Sequence, residues 1–186
     1  MNWTDPYLIS DTHLFHEKIL NYVPRRIKYY GDFDNMNRKM IHDWNSTISQ
    51  DDVVIHVGDM VFYKEEALSE LNGFKVLVIG NHDRSWKRLL KKGLINMALH
   101  GMDINLLGES FRIQHHPEEN WHGKDTGSIL LHGHEHGDGT IMRYNALDVG
   151  IDLPYMFHKP QKLSTLLGVI RKRNAQIIKA EDVSGD

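Results

Sequence analysis

The apolar residues of this chain come in short runs, none longer than five, and several of them break directly into a polar cluster. Tyr7-Leu8-Ile9-Ser10 leads into Asp11-Thr12-His13, and residues 53–57 lead into Gly58-Asp59. Residues 75–79 run into Gly80-Asn81-His82-Asp83, and residues 128–131 into His132-Gly133-His134-Glu135-His136. A fifth cluster, His115-His116-Pro117, follows Phe111-Arg112-Ile113. Runs this short cannot span a membrane as helices, and they read as buried strands that stop where the polar residues begin.

Amphipathic segments lie between the runs. Met36, Met40, Ile41, Trp44 and Ile48 recur on one helical face behind Asp34, which reads as an N-cap. Residues 64–71 read as a helix closed by Asn72-Gly73, and residues 84–92 as one with Gly93 just past its end. Strands alternating with helices indicate an α/β domain. Beyond residue 94 the pattern changes to five short strands, over 95–99, 103–107, 111–114, 128–131 and 141–149. A closing helix is expected over 164–178 and a frayed tail over 181–186. No repeat or linker divides the 186 residues, so a single domain over residues 1–186 is expected. A chain of this mass buries about 70% of its surface on folding, enough for an unstapled core.

The absence of cysteine removes disulfides, iron–sulfur clusters and thiol catalysis together. A net charge of -3 and a pI near 6.5 put nucleic acid behind small molecules as a partner. The first residues carry no signal-peptide pattern, which gives a cytoplasmic protein without membrane contact as the expectation. The unusual count is thirteen histidines, many of them in the polar clusters. In α/β sheets ligands bind at the carboxyl ends of strands, which is where those clusters fall. Imidazole and carboxylate without thiolate suit Mn²⁺, Fe or Zn²⁺.

The ordered series Asp11-x-His13, Gly58-Asp59, Gly80-Asn81-His82-Asp83, His115 and Gly133-His134-x-His136 resembles the calcineurin-like metallophosphoesterases. With Ser10, His16, Asp51-Asp52, Leu71-Asn72-Gly73 and Asp148-Val149-Gly150-Ile151-Asp152, the likeness is to a small bacterial and phage branch, over residues 7–165. The resemblance implies a sandwich of two mixed β-sheets flanked by α-helices, with a dimetal site at the strand C-terminal ends. It implies that Asp11, His13 and His136 hold one divalent ion and that Asn81, His115 and His134 hold the second. Asp59 would bridge them, and His115 is preferred to His116 by the H-x-P spacing. Mn²⁺ is the expected metal, with Fe, Zn²⁺ and Ni²⁺ as alternatives.

The implied activity is hydrolysis of a small phosphoester, a diester or nucleotide-like ester in preference. A hydroxide held between the metals would attack, and His82 would protonate the leaving group as general acid. Asp83, adjacent in sequence, is the carboxylate expected to orient His82. The alternatives are a nuclease of the same family and a non-catalytic metal-binding scaffold. Arg25-Arg26, His16, Arg84 and His158 are candidate substrate contacts, since guanidinium and imidazole groups grip phosphate oxygens. His56, within an apolar run, reads as a hydrogen-bonded core residue, and His132 as a support for the neighbouring ligands. Trp121 and Tyr155-Met156-Phe157 read as core or as a pocket wall.

Overall fold

A computed structural model describes residues 1–138 and 144–184 of the chain. Among the described residues nine strands form two sheets. The first has the order β4-β3-β2-β1-β9 and contains β1 (Asn2–Ile9), β2 (Asp52–His56), β3 (Phe74–Val78), β4 (Met97–Leu99) and β9 (Gln161–Lys162). Strands β1 to β4 run parallel, and β9 closes the edge antiparallel to β1. The second sheet has the order β5-β6-β7-β8, from β5 (Met102–Leu106), β6 (Glu109–Ile113), β7 (Ile129–His132) and β8 (Ala146–Asp148). There β5 is antiparallel to β6, while β6, β7 and β8 are parallel. The protein is thus an α/β structure of two mixed sheets flanked by helices.

The burial of each strand follows its neighbours. Four of the five residues of β2 and of β3 are buried, as expected for parallel strands covered on both faces. The edge strand β5 alternates between half-buried and exposed instead. One apolar core takes Leu8, Ile55 and Val76 from the first sheet together with Phe111, Leu131 and Leu147 from the second. Helix α3 (Phe33–Thr47) adds Met36, Met40 and Trp44 to it, with Ile48 just beyond, the face legible in the sequence. Its N-cap is Asp32 rather than Asp34, because the Asp32 carboxylate takes the Asn35 N–H at 2.8 Å. Short helices α1 (Ile19–Tyr22) and α2 (Arg25–Tyr30) precede it. Residues 15–32 lack the apolar periodicity that would have announced them.

Several boundaries differ from expectation. The segment after Lys64 is a 3₁₀ turn, Glu65–Glu70, entered through a left-handed Lys64, and not an α-helix. Helix α4 spans only Trp86–Lys91. Helix α5 runs from Leu163 to Ser184, so residues 181–184 continue the helix; residues 185–186 lie outside the described residues. Of the strand expected over 141–149, residues 141–143 lie outside the described residues and the strand itself is Ala146–Asp148. Trp121 is buried on Leu130 and Ala146, with its indole N–H on the Ser128 carbonyl at 3.0 Å. Among the described residues no helix is long and apolar enough to cross a membrane.

The two sheets meet at their carboxyl ends. Ser10, just past β1, forms a parallel bridge with Gly150, just past β8. Its N–H donates to the Val149 carbonyl at 2.9 Å, and the Ile151 N–H donates to its own carbonyl at 3.0 Å. Loops following β1, β2, β3, β6, β7 and β8 therefore converge along one seam.

Candidate metal centre

The seam places the sequence-derived residues on five loops, singly or in pairs. Asp11 and His13 follow β1, Asp59 follows β2, and Asn81 and His82 follow β3. His115 follows β6, and His134 and His136 follow β7. Asp11, His13, Asp59, His134 and His136 all have left-handed backbones, with φ between 48° and 75°. Such conformations are costly for residues with a Cβ, of order 1–3 kcal/mol each, and they concentrate where function over-determines the backbone. Two glycines make the close approach possible. A Cβ on Gly58 would overlap the His115 ring, and one on Gly133 would overlap the side chains of Ser10 and Asp11.

Asp11, His13 and His136 offer ligand atoms within 4.8 Å of one another, as do Asp11, Asp59 and His115. The Nε2 atoms of His13 and His136 are 3.2 Å apart, and each is 3.9 Å from Asp11 Oδ1. That oxygen is buried and has no hydrogen-bond partner. Asp59 Oδ2 is central, 3.7 Å from His13 Nε2, 3.5 Å from His115 Nε2 and 4.0 Å from His82 Nε2. His115 donates its Nδ1 proton to the Val57 carbonyl at 2.8 Å, and its Nε2 lies 3.1 Å from Asn81 Oδ1. His134 groups with His115 and His116. His115 is the buried one of the adjacent pair and faces Asp59, whereas His116 is exposed and packs on the His134 ring at 4.3 Å. All seven sequence-derived ligands thus come together, and His116 stands beside them.

Burial and neighbouring charges act against each other across the cluster. Burial raises the Asp11 carboxyl pKa above its ordinary value, against the pull of His115 and His136. Burial holds His13 well below the usual imidazole value, aided by the Arg26 charge. Burial would also push His115 down, but the Asp59 hydrogen bond and the Asp11 and Asp59 charges raise it to about 9. Asp59 is desolvated too, yet the His115 bond and charge, the His82 N–H and His13 keep its carboxyl low. Two carboxylates facing several imidazoles, with one buried oxygen unpaired, form a donor set that could hold divalent ions.

The cluster opens onto a cavity of about 370 Å³ lined by His13, His16, Ile19, Tyr22, Asp59, Phe62, His82, His134 and His136. The His82 side chain is 45% exposed there, beside the Phe62 ring at 5.1 Å. Asp83 does not orient it. Its carboxylate turns inward and accepts N–H groups from Asp59, Met60 and Gly80 at 2.7–2.9 Å, bracing the loops after β2 and β3. Of the candidate substrate contacts, His16 lines the cavity, and Arg25, Arg84 and His158 do not. Arg25 pairs with Asp138 at 2.9 Å, Arg84 is exposed, and His158 stacks on Tyr29 at 3.7 Å. His56 is buried, with Nε2 2.9 Å from the Thr12 hydroxyl, and His132 lies on the Gly133 carbonyl at 3.0 Å.

Arg26, expected with Arg25 as a substrate contact, instead turns inward and, with Asp152, braces the cluster from behind. Arg26, one of an apparent surface pair, has no exposed area. It grips both oxygens of Asp152 at 2.7 and 2.8 Å and donates to the carbonyls of Asp11 and Thr12 at 2.6 and 3.0 Å. Asp152 in turn receives His136 Nδ1. The position of Arg26 just after Pro24, at the start of a short helix, was the only local signal, and it does not say which way the side chain points.

No family model matches the chain. An uncharacterized protein of Methanocaldococcus jannaschii, MJ1445, is 27% identical over 176 residues, covering 89% of this chain and 91% of that protein. The gene 66 protein of Mycobacterium phage L5 is 23% identical over 184 residues, covering 80% and 87%. Among solved structures, the protein of unknown function AQ665 from Aquifex aeolicus shares the fold, with a TM-score of 0.72 and 24% identity over 89% of this chain and 99% of that one.

Proposed function

We propose that the protein is a binuclear metal-dependent phosphoesterase of calcineurin-like type, acting on a small phosphoester and on diesters or nucleotide-like esters in preference. The observation that carries this reading is Asp11 Oδ1: buried, without a hydrogen bond, and equidistant from the imidazole nitrogens of His13 and His136, which themselves line the cavity. Asp11, His13 and His136 would hold one ion, and Asn81, His115 and His134 the other, with Asp59 between them. Bound there, two divalent ions would supply Lewis acidity toward the phosphoryl oxygens and acidify a water.

The protein's own groups do the rest. His115 is fixed by its Nδ1 bond to Val57, which aims Nε2 at Asp59. His136 is fixed in the same way by Asp152. His82 stands at the solvent side of the cavity, where its ring can give a proton to a departing alkoxide. Its backbone N–H donates to Asp59 Oδ1 at 3.0 Å, which keeps the ring over the cluster.

The test is a panel of nitrophenyl mono- and diesters assayed after chelation and again with Mn²⁺, Ni²⁺, Mg²⁺ or Zn²⁺. Turnover is expected to vanish with chelation and return with Mn²⁺, and Asn81→Ala or His134→Ala is expected to lower metal stoichiometry from two to one by elemental analysis. Activity that survives exhaustive chelation, or full occupancy in both variants, would overturn the proposal.

A further inference from the structure

The cavity has two unlike ends. One is the His and Asp cluster; the other is formed by Ile19, Tyr22 and Phe62. Phe62 links them, with its ring centroid 5.4 Å from His13 and 5.1 Å from His82 on one side and 3.8 Å from His16 on the other. Tyr22 ends helix α1 and is 69% exposed, with its ring 6.3 Å from His16. A large aromatic ring left this open beside a concave site offers a flat, apolar face to whatever enters. Among the described residues no lysine or arginine lines the cavity, and Arg25 is engaged with Asp138. Among the described residues, a second or third phosphate, or a polyanionic strand, would therefore find no lysine or arginine lining that wall.

We infer that the substrate carries a single phosphoryl group joined to a planar aromatic moiety of nucleobase type, which stacks on the open wall made by Tyr22 and Phe62. This deepens the phosphoesterase reading and rests on it for the place of the phosphoryl group. The aromatic group lies on the His16 side of the phosphoryl, within reach of Tyr22, and it is recognised by its ring face rather than by its edge. Stacking of this kind tolerates different bases, so specificity for the base itself is expected to be weak.

The experiment uses matched pairs that differ only in the base. By calorimetry on the full-length, Mn²⁺-loaded protein, adenosine 5′-monophosphate is expected to bind about tenfold more tightly than ribose 5-phosphate. Tyr22→Ala is expected to abolish that ratio, and Tyr22→Phe to keep it; an unchanged melting temperature checks that the exposed substitution has left the fold intact. By turnover, a nucleoside 5′-(4-nitrophenyl) phosphate is expected to exceed ribose 5-(4-nitrophenyl) phosphate in kcat/KM by a similar factor, through KM. Equal binding of the two monophosphates, or a ratio indifferent to Tyr22→Ala, would overturn the inference. A binding ratio without metal-dependent hydrolysis of either diester would sink the phosphoesterase reading while leaving the aromatic subsite standing.

Discussion

The carboxylate of Asp152 accepts the Nδ1–H of His136 at 2.9 Å while both of its oxygens are held by Arg26. Because a carboxylate kept ionised can only accept, the imidazole must carry its proton on Nδ1, and its Nε2 lone pair is left facing Asp11 and His13. Burial would raise the Asp152 carboxyl, but the Arg26 charge and the His136 bond hold it well below the usual range. The chain Arg26–Asp152–His136 thus sets both the tautomer and the direction of one candidate ligand.

Asp152→Asn is expected to weaken Mn²⁺ binding by about 10- to 100-fold, the usual effect of disturbing the group that orients a ligating imidazole. Arg26→Met would leave a buried carboxylate uncompensated and is expected to cost about 3–5 kcal/mol of folding stability. Metal titration checks the first and urea denaturation the second. Wild-type affinity in Asp152→Asn would show that His136 needs no such support.

Asp83 anchors three backbone N–H groups on two loops. Asp83→Ala leaves those donors buried, and a loss of about 3 kcal/mol or more is expected from hydrogen bonds to a charged acceptor. A loss below about 1 kcal/mol in chemical denaturation would contradict the bracing role.

Two glycine substitutions are expected to act in opposite directions. In Gly133→Ala the new methyl collides with the side chains of Ser10 and Asp11 at the seam, so poor folding and loss of metal binding are expected. Gly168 lies on the exposed side of α5, where an added methyl would meet nothing within 4 Å, so Gly168→Ala is expected to stabilise by about 0.5–1 kcal/mol. Melting temperatures of the pair check both.

The buried Asp148 carboxyl is raised to about 7, first by desolvation and then by the Asp11 charge. The folded protein therefore keeps a proton that the unfolded chain releases near pH 4, and the Asp148 contribution to the stability of the metal-free protein falls as pH rises from about 4 to about 7, while buried His56, lowered to about 3, contributes the opposite slope. A separation of about three pKa units is worth about 4 kcal/mol. Asp148→Asn is expected to remove that contribution, so its stability relative to the wild type rises between about pH 4 and 7, as read from urea unfolding across the pH range in chelator. A wild-type slope in the variant would refute this.

His82→Ala is expected to depress turnover of alkyl esters by about 10²- to 10⁴-fold while sparing nitrophenyl esters, whose leaving group departs without a proton. Parallel rate measurements on the two classes decide it, and equal losses would exclude proton donation by His82.

Much of this arrangement was legible because each chemical cluster sits immediately after an apolar run: Asp11 after Ile9, Asp59 after Val57 and Asn81 after Ile79 need only a parallel sheet to come together. What the sequence hid were properties of direction. Arg25 and Arg26 are indistinguishable in one dimension, yet one is on the surface and the other is sealed inside. Asp83 follows His82 but faces the opposite way, since the N–H groups it satisfies belong to loops that only folding brings near. The two short helices before residue 31 are set by tertiary contacts of Ile19, Val23 and Tyr30 rather than by any repeating apolar face.

The join between Ser10 and Gly150 links the beginning of the polypeptide to its last quarter. A fragment stopping before residue 110 keeps Asp11, His13, Asp59 and Asn81 but lacks every imidazole from the other sheet. Any function that needs the whole cluster therefore needs both sheets folded against each other.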